Sequence, residues 1–115
     1  MSNIIREIVA TNEFTEYYNA LDQNIKEKYD YVLQIVATQK IVNTKFVKKL
    51  EKTEFYELRV SISTNEYRTI MVAIDKSNFI EAKQIVLLNS FLKKDTKQYK
   101  AEIKRASEIL KKLED

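Results

Sequence analysis

The hydrophobic pattern changes period several times along the chain. Residues 3–10, NIIREIVA, are short and rich in β-branched side chains, which predicts a first strand. From Phe14 the period becomes helical. Apolar residues recur at Phe14, Tyr17, Tyr18, Leu21 and Ile25, and then at Tyr29, Val32, Leu33 and Val36. Spacings of three and four place these on one helical face. Thr11 or Asn12 is the expected N-cap. Asp22-Gln23-Asn24 interrupts the run, so two helices are predicted, at 13–21 and 24–39. A single helix of that length would outgrow so small a domain.

Residues 40–54 commit to no period. Phe46, Val47 and Leu50 predict a short helical turn or a packed loop. The period of two then appears over residues 55–63, FYELRVSIS. Tyr56, Leu58, Val60 and Ile62 share one face of this strand, and Glu57, Arg59 and Ser61 the other. Thr64-Asn65 is read as the hairpin turn, with Asn in the role usually taken by Gly. Residues 66–75, EYRTIMVAID, form the returning strand, and Asp75 to Asn78 a second turn. A third antiparallel strand is expected over about 80–91, centred on IVLL. From about residue 96 the tail is helical, with a stripe at Tyr99, Ile103, Ala106, Leu110 and Leu113. The order β-α-α-β-β-β-α describes an α+β fold with a small antiparallel-containing sheet. The early helical pair covers one sheet face, and the C-terminal helix packs at the edge or on the opposite face.

Composition narrows the chemistry. The 115 residues fit one domain, 1–115, with no linker or repeat. Cysteine and histidine are both absent. This rules out disulfides and thiolate zinc sites, and it removes the commonest general base and metal ligand. No metal and no cofactor are expected. Glycine and proline are absent too, which rules out the glycine-rich loops of P-loop and dinucleotide-binding folds. The first residues, MSNIIREIVATNE, lack the apolar core of a signal peptide, and no run is long enough to span a bilayer. A cytoplasmic protein without membrane contact is expected.

The net charge of +3 is unevenly spread. Residues 1–39 balance at −3, with three basic and six acidic side chains; residues 40–115 balance at +6, with seventeen and eleven. A polyanion is therefore a plausible partner of the second part, although ordinary lysine-rich solubility is the commoner reason for asymmetry of this size.

Several cations fall at element ends or on one strand face. Arg59 shares a face with Glu57 and Ser61, Arg68 opens the returning strand, Lys93 and Lys94 follow Phe91, and Lys97 precedes the last helix. The hairpin makes Arg59 and Arg68 neighbours. Without histidine, such a group suits phosphodiester chemistry on RNA, in which the ribose 2′-hydroxyl attacks the adjacent phosphate. Guanidinium groups pair with phosphate bidentately and stabilise the charge that develops. A lysine crowded by other cations has its pKa lowered toward neutrality, where it can carry a proton. Each residue also has an ordinary structural reading. Arg59 can pair with Glu57, Lys93 and Lys94 can end a hydrophobic strand with charge, and Arg68 can cover its apolar neighbours with its stem. Tyr99 reads first as a core residue of its stripe, and otherwise as a general acid or a stacking platform for a base.

The run FYELRVSISTNEYRTIMVAID resembles the L-Y-E-L-R … Y-R-I signature of the RelE/ParE toxin superfamily, and most of all its HigB-like, phage-derived branch. The stretch IVLLNSFLKKDTKQYKAEIKRA is similar to that branch's ending: an apolar strand, F-x-K-K, a lysine-capped turn, and a helix with E-I-x-x-A. The resemblance implies a RelE-like fold and a ribosome-dependent messenger RNA endonuclease of a type II toxin–antitoxin system, which needs no metal. It implies Arg59, Arg68, Lys93 and Lys94 as catalytic, phosphate-stabilising groups. Lys48, Lys49 and Lys52 match the family's basic loop and, with Lys97 and Tyr99, are the expected contacts to RNA or the ribosome. The implied partners are messenger RNA, the ribosome and a cognate antitoxin carrying a helix-turn-helix DNA-binding domain. Two departures stand out. Asn89-Ser90 replaces the family's frequent His-Gly and removes a possible proton-transfer group. Gln98-Tyr99 replaces the frequent Thr-Pro at the start of the last helix. The alternatives are a gyrase-poisoning, ParE-like toxin that cleaves nothing, and a catalytically silent relative that only binds an antitoxin.

Overall fold

The computed structural model describes residues 3–115; Met1 and Ser2 lie outside it. Its elements are β1 (Glu7–Ala10), α1 (Asn12–Asn19), α2 (Gln23–Thr38), β2 (Val47–Lys49), β3 (Phe55–Ile62), β4 (Asn65–Ala73), β5 (Gln84–Lys93) and α3 (Gln98–Glu114). The five strands form one sheet in the order β1-β5-β4-β3-β2. β1 runs parallel to β5, and every other neighbouring pair is antiparallel. The α+β order read from the sequence is present, with one strand added.

That strand, β2, lies in the segment expected to be a helical turn or packed loop. Val47 pairs with Leu58 and is buried with it, while the Phe46 carbonyl accepts the Arg59 backbone N–H at 2.7 Å. An otherwise open edge of β3 captured a segment with no strong period of its own. The first strand is shorter than expected, starting at Glu7 rather than residue 3. β5 starts at Gln84 rather than near residue 80, because residues 75–83 form a loop closed by Asp75, whose carboxylate accepts the N–H groups of Lys83 and Gln84. Thr11 is the N-cap of α1: its hydroxyl accepts from the Phe14 N–H at 3.1 Å and donates to the Leu88 carbonyl at 2.6 Å.

The hairpin between β3 and β4 turns one residue earlier than expected. Ser63 and Thr64 form the loop and Asn65 already belongs to β4. Ser63, not Asn65, takes the positive φ, at 54°, the sign that primed hairpin turns require. The shift changes the register. A loop at Thr64-Asn65 would set Arg59 opposite Ile70, whereas the observed loop sets it opposite Arg68.

The sheet separates two cores. On one face α1 and α2 bury Phe14, Tyr29, Val32 and Val36 against Leu58, Val60, Tyr67, Met71 and Leu87. On the other, α3 lays Ala106 and Ile109 on Phe55, Ile70, Val72, Val86, Leu88 and Phe91. The last helix thus takes the opposite face, not the edge. β5 also carries one extra residue opposite Ile70, a bulge that locally breaks its register with β4. No helix among the described residues is long and apolar enough to cross a membrane.

Arg6 fastens the start of β1 to the rest of the molecule. It is 1% exposed. Its guanidinium donates to the carbonyls of Val36 at 2.8 Å, Gln39 at 2.5 Å and Lys40 at 2.5 Å, at the C-terminal end of α2, and to Phe79 at 3.2 Å and Ile80 at 3.3 Å. It also lies 4.2 Å from the centre of the Phe79 ring. Burial lowers its pKa from the usual arginine value. Carbonyls at a helix C-terminus carry the partial negative charge that a buried cation needs.

Two outcomes follow. Arg6→Met leaves the buried carbonyls of Val36 and Phe79 unpaired and should cost about 3–5 kcal/mol in urea unfolding, since each orphaned buried group costs about 1–3 kcal/mol; a loss under about 1 kcal/mol would contradict this role. Stability should also fall at alkaline pH. Burial raises the pKa of Tyr29, and burial first, then Tyr67 and Glu102, push Tyr17 up to about 12. A phenol whose folded pKa exceeds its unfolded value contributes stability that is complete below about pH 10 and is lost as pH rises beyond it. The melting temperature should hold steady from neutral pH to about 10 and then drop, less steeply in Tyr17→Phe.

Candidate nucleic-acid interface

At the hairpin end, the sheet face that packs on α3 turns from apolar to charged. The cross-strand register places Lys48 beside Glu57 and Arg59 beside Arg68. Two arginines directly opposed across a hairpin repel one another. Glu57, one pleat back on the same face, resolves the repulsion. Its Oε1 lies 2.9 Å from Arg68 Nε and 3.5 Å from Arg59 Nε, and it accepts the Tyr99 hydroxyl at 2.8 Å. This carboxylate is only 4% exposed.

The two arginines differ in what remains free. Arg68 is 2% exposed. Its Nε also donates to the Tyr99 hydroxyl at 3.3 Å, its Nη1 to the Tyr67 carbonyl at 3.0 Å and its Nη2 to Glu66 at 3.4 Å. It lies inside the site rather than on its rim, and braces β4 against α3. Arg59 is only partly covered, and beyond Glu57 its Nη1 donates to the Thr44 carbonyl at 3.2 Å. Ion pairing with Arg68 and a hydrogen bond from Ser61 keep the Glu66 carboxyl below its usual pKa, with Ser61 the larger cause.

Tyr99 enters from the first turn of α3. Its ring packs edge-on against Phe91 at 5.3 Å, and the Lys93 ammonium lies 5.8 Å from its centre. Burial raises the phenol pKa, and the hydrogen bond to Glu57 raises it further, against the opposing pull of Arg68. The hydroxyl therefore keeps its proton at neutral pH and works as a donor. Tyr99 is both part of the helical stripe and part of the site.

In front of the buried Arg68 lies an open hollow of about 260 Å³ walled by Lys48, Lys49, Leu50, Glu51, Glu57, Arg59, Lys93 and Tyr99. Four cations face two carboxylates there, one of which is spent on the arginines. The Lys49 ammonium is partly committed, donating to the carbonyls of Leu50 and Thr53. Lys48 is exposed.

The other expected cations lie outside the hollow. Lys94 is exposed just past β5, where its N–H donates to the Gln98 side chain at 2.6 Å. Lys97 is exposed at the N-cap position of α3, its N–H on Asp95 at 2.9 Å. Lys52 sits in a tight turn with φ 63° and lines a separate hollow with Ile103 and Ser107 of α3. Asn89, at the position where the resembled family often has histidine, is buried under α3. Its amide donates to Glu102 at Oε1 (2.9 Å) and at the backbone carbonyl (3.1 Å). A side chain at that position meets α3 and not the cationic hollow. A larger, mainly apolar hollow of about 400 Å³, between Val72, Ile74, Leu110 and Leu113, lies at the other end of α3 and offers no cation.

In the sequence, Glu57 is legible only as a possible partner of Arg59. The signal for more was present: two arginines brought together by one hairpin need a shared counter-charge on the same face. Glu51 and the Thr44 carbonyl had no such signal, since both depend on where the irregular segment settles.

Three comparisons bear on this arrangement. No curated protein matches the sequence. The fold is similar to that of the E. coli toxin RelE, solved as a double-arginine mutant in the free state, with a TM-score of 0.62 and 14% identity over 89% of this chain and 98% of that one. At that identity the likeness is one of fold. The model of the phage-derived protein Gp49-like family matches residues 16–111, which takes in α2, β2 to β5 and most of α3. The chain belongs to the phage-derived Gp49-like family.

Proposed function

We propose that this protein is the toxin of a type II toxin–antitoxin pair and cleaves messenger RNA on the translating ribosome. The observation that carries the reading is the cationic hollow on a RelE-like fold, where Arg59, Lys48 and Lys93 surround a tyrosine fixed by a buried carboxylate. The reaction is transesterification. The 2′-oxygen forms a bond to the adjacent phosphorus and gives up its proton, the P–O5′ bond breaks, and the 5′-oxygen takes a proton. The products are a 2′,3′-cyclic phosphate and a 5′-hydroxyl end.

Arg59 meets the phosphate with the part of its fork not held by Glu57 or Thr44. Lys93 and Lys48 add positive charge where the phosphorane oxygens become more negative. Tyr99, edge-on to Phe91, presents a ring face on which a base can stack. Lys49, Lys52, Lys94 and Lys97 extend the basic surface outward, toward the RNA backbone or the ribosome. Arg68 acts through its neighbours, as a brace. Catalytic lysines that carry the protons would work without histidine.

The partner in this reading is an antitoxin that covers these cations, and its contacting segment is acidic.

The test is translation of a defined message in a purified system, with mapping of new 5′ ends. Cleavage should appear only on translating ribosomes and should fall at least about 100-fold in Arg59→Ala, the cost of one preorganised charge-stabilising donor. Arg59 is chosen over Arg68 because removing the buried Arg68 would strand Glu57 and test folding instead. An intact message with normal translation would remove the nuclease reading; inhibited DNA supercoiling would then favour a gyrase target, and antitoxin binding alone a silent relative. Toxin–antitoxin affinity should weaken as salt is raised from 50 to 500 mM, by about tenfold or more. An affinity indifferent to salt would contradict an acidic antitoxin contact.

A further inference from the structure

We propose that Glu57 is a positioning residue of the RNA site, whose buried carboxylate holds the Arg59 guanidinium and the Tyr99 hydroxyl in the geometry that meets the phosphate. The proposal rests on the nuclease reading above and extends it to a residue that touches no reacting atom.

A carboxylate is an expensive choice at this position. Across the hairpin Glu57 faces Ile70, which is fully buried, and the same sheet face continues into the apolar core under α3. An apolar side chain here would extend that core, and replacing buried charge clusters with packed apolar groups often leaves stability equal or higher. The fold alone therefore does not call for Glu57. The arginines do, but they too are charges placed at the margin of a core. The cluster makes sense as a unit built to present one of its members.

The ion pairs and hydrogen bonds show which member. Arg68 is buried with each of its three nitrogens engaged. Arg59 is held at Nε by Glu57 and at Nη1 by the Thr44 carbonyl, which leaves Nη2 without a partner among the described residues, on a partly exposed side chain that lines the hollow. Tyr99 is held by the same Glu57 oxygen. Glu57 thus orients one guanidinium edge and one aromatic ring at the same hollow. Two groups fixed by one rigid acceptor lose little freedom when the substrate arrives.

Charge and positioning predict opposite effects, so the two are separable. Removing a carboxylate makes the hollow more cationic, and charge alone would strengthen its hold on RNA and leave cleavage intact. Positioning predicts slower cleavage despite equal or tighter binding.

The experiment compares the full-length wild type with Glu57→Gln, which keeps the volume and an acceptor oxygen. Single-turnover cleavage of ribosome-bound message should fall at least about tenfold, as loss of alignment at a reacting centre does. Affinity of the free protein for a short single-stranded RNA should stay equal or rise, and antitoxin binding should persist. A second readout needs no activity. With ¹³C-labelled tyrosine, the Tyr99 titration, assigned with Tyr99→Phe, should move to lower pH in Glu57→Gln, because Glu57 no longer opposes ionisation while Arg68 still favours it. Cleavage by Glu57→Gln at the wild-type rate overturns the proposal and leaves the nuclease reading standing. Joint loss of cleavage, RNA binding and antitoxin binding also overturns it, and makes Glu57 a folding residue. A wild type that cleaves no message removes the nuclease reading and this proposal together.

Discussion

One carboxylate oxygen joins three elements of this molecule. Oε1 of Glu57, on β3, collects Arg59 from its own strand, Arg68 from β4 and Tyr99 from α3. Each contact answers a need created by another. The hairpin register sets two guanidinium groups side by side, which is tolerable only with an anion between them. The anion is buried, which is tolerable only if it is paired. The tyrosine donates a hydrogen bond to the same oxygen and thereby ties the start of the last helix to it. Farther along α3, Glu102 holds Asn89 of the β5 bulge, and Ala106 and Ile109 rest on the apolar part of the same face. The helix is thus anchored by polar contacts at its N-terminal half and by packing beyond.

The two sheet faces divide the work. The face under α1 and α2 is almost wholly apolar. A polar chain crosses it from the Tyr29 hydroxyl through Thr69 to Ser90, at 3.1 and 2.7 Å. The face under α3 is graded from Phe55, Val72 and Val86 at one end to Arg59, Arg68 and Lys93 at the other. Rigid strands therefore carry the cations, so their spacing is set by the pleat and not by mobile loops. The chain reaches this without glycine. Ser63 and Lys52 both take positive φ, at 54° and 63°. Such backbone costs of the order of 1 kcal/mol or more at a non-glycine residue, and it persists where surrounding structure over-determines it. Ladders on both sides of each turn do so here.

The earlier turn at Ser63 shows how small local geometry governs the site. With the loop one residue later, Arg59 would face Ile70, and Glu57 would no longer lie between two cations. The bland and the functional readings of several residues then turn out to be compatible. Arg59 pairs with Glu57 and is still open to the hollow. Tyr99 is in the stripe of α3 and in the site at once.

Period and parity in the sequence alone determined the two N-terminal helices, the β3–β4 hairpin, the apolar β5 and the stripe of α3. These are local repeats of three to four or of two, and each selects one backbone geometry whatever surrounds it. The same parity put Glu57 and Arg59 on one strand face. Tertiary structure decided the rest. Residues 40–54 have no period, so only an open sheet edge could make β2 and bring Lys48 beside Glu57. The side taken by α3, the burial of Arg68 and Asn89, and the placing of Lys52 and Lys97 away from the hollow all depend on contacts between distant parts of the chain. A sequence pattern records which face a residue is on. It does not record what that face will meet, and for a charged side chain the difference between solvent, a counter-ion and a helix decides whether it can reach a substrate.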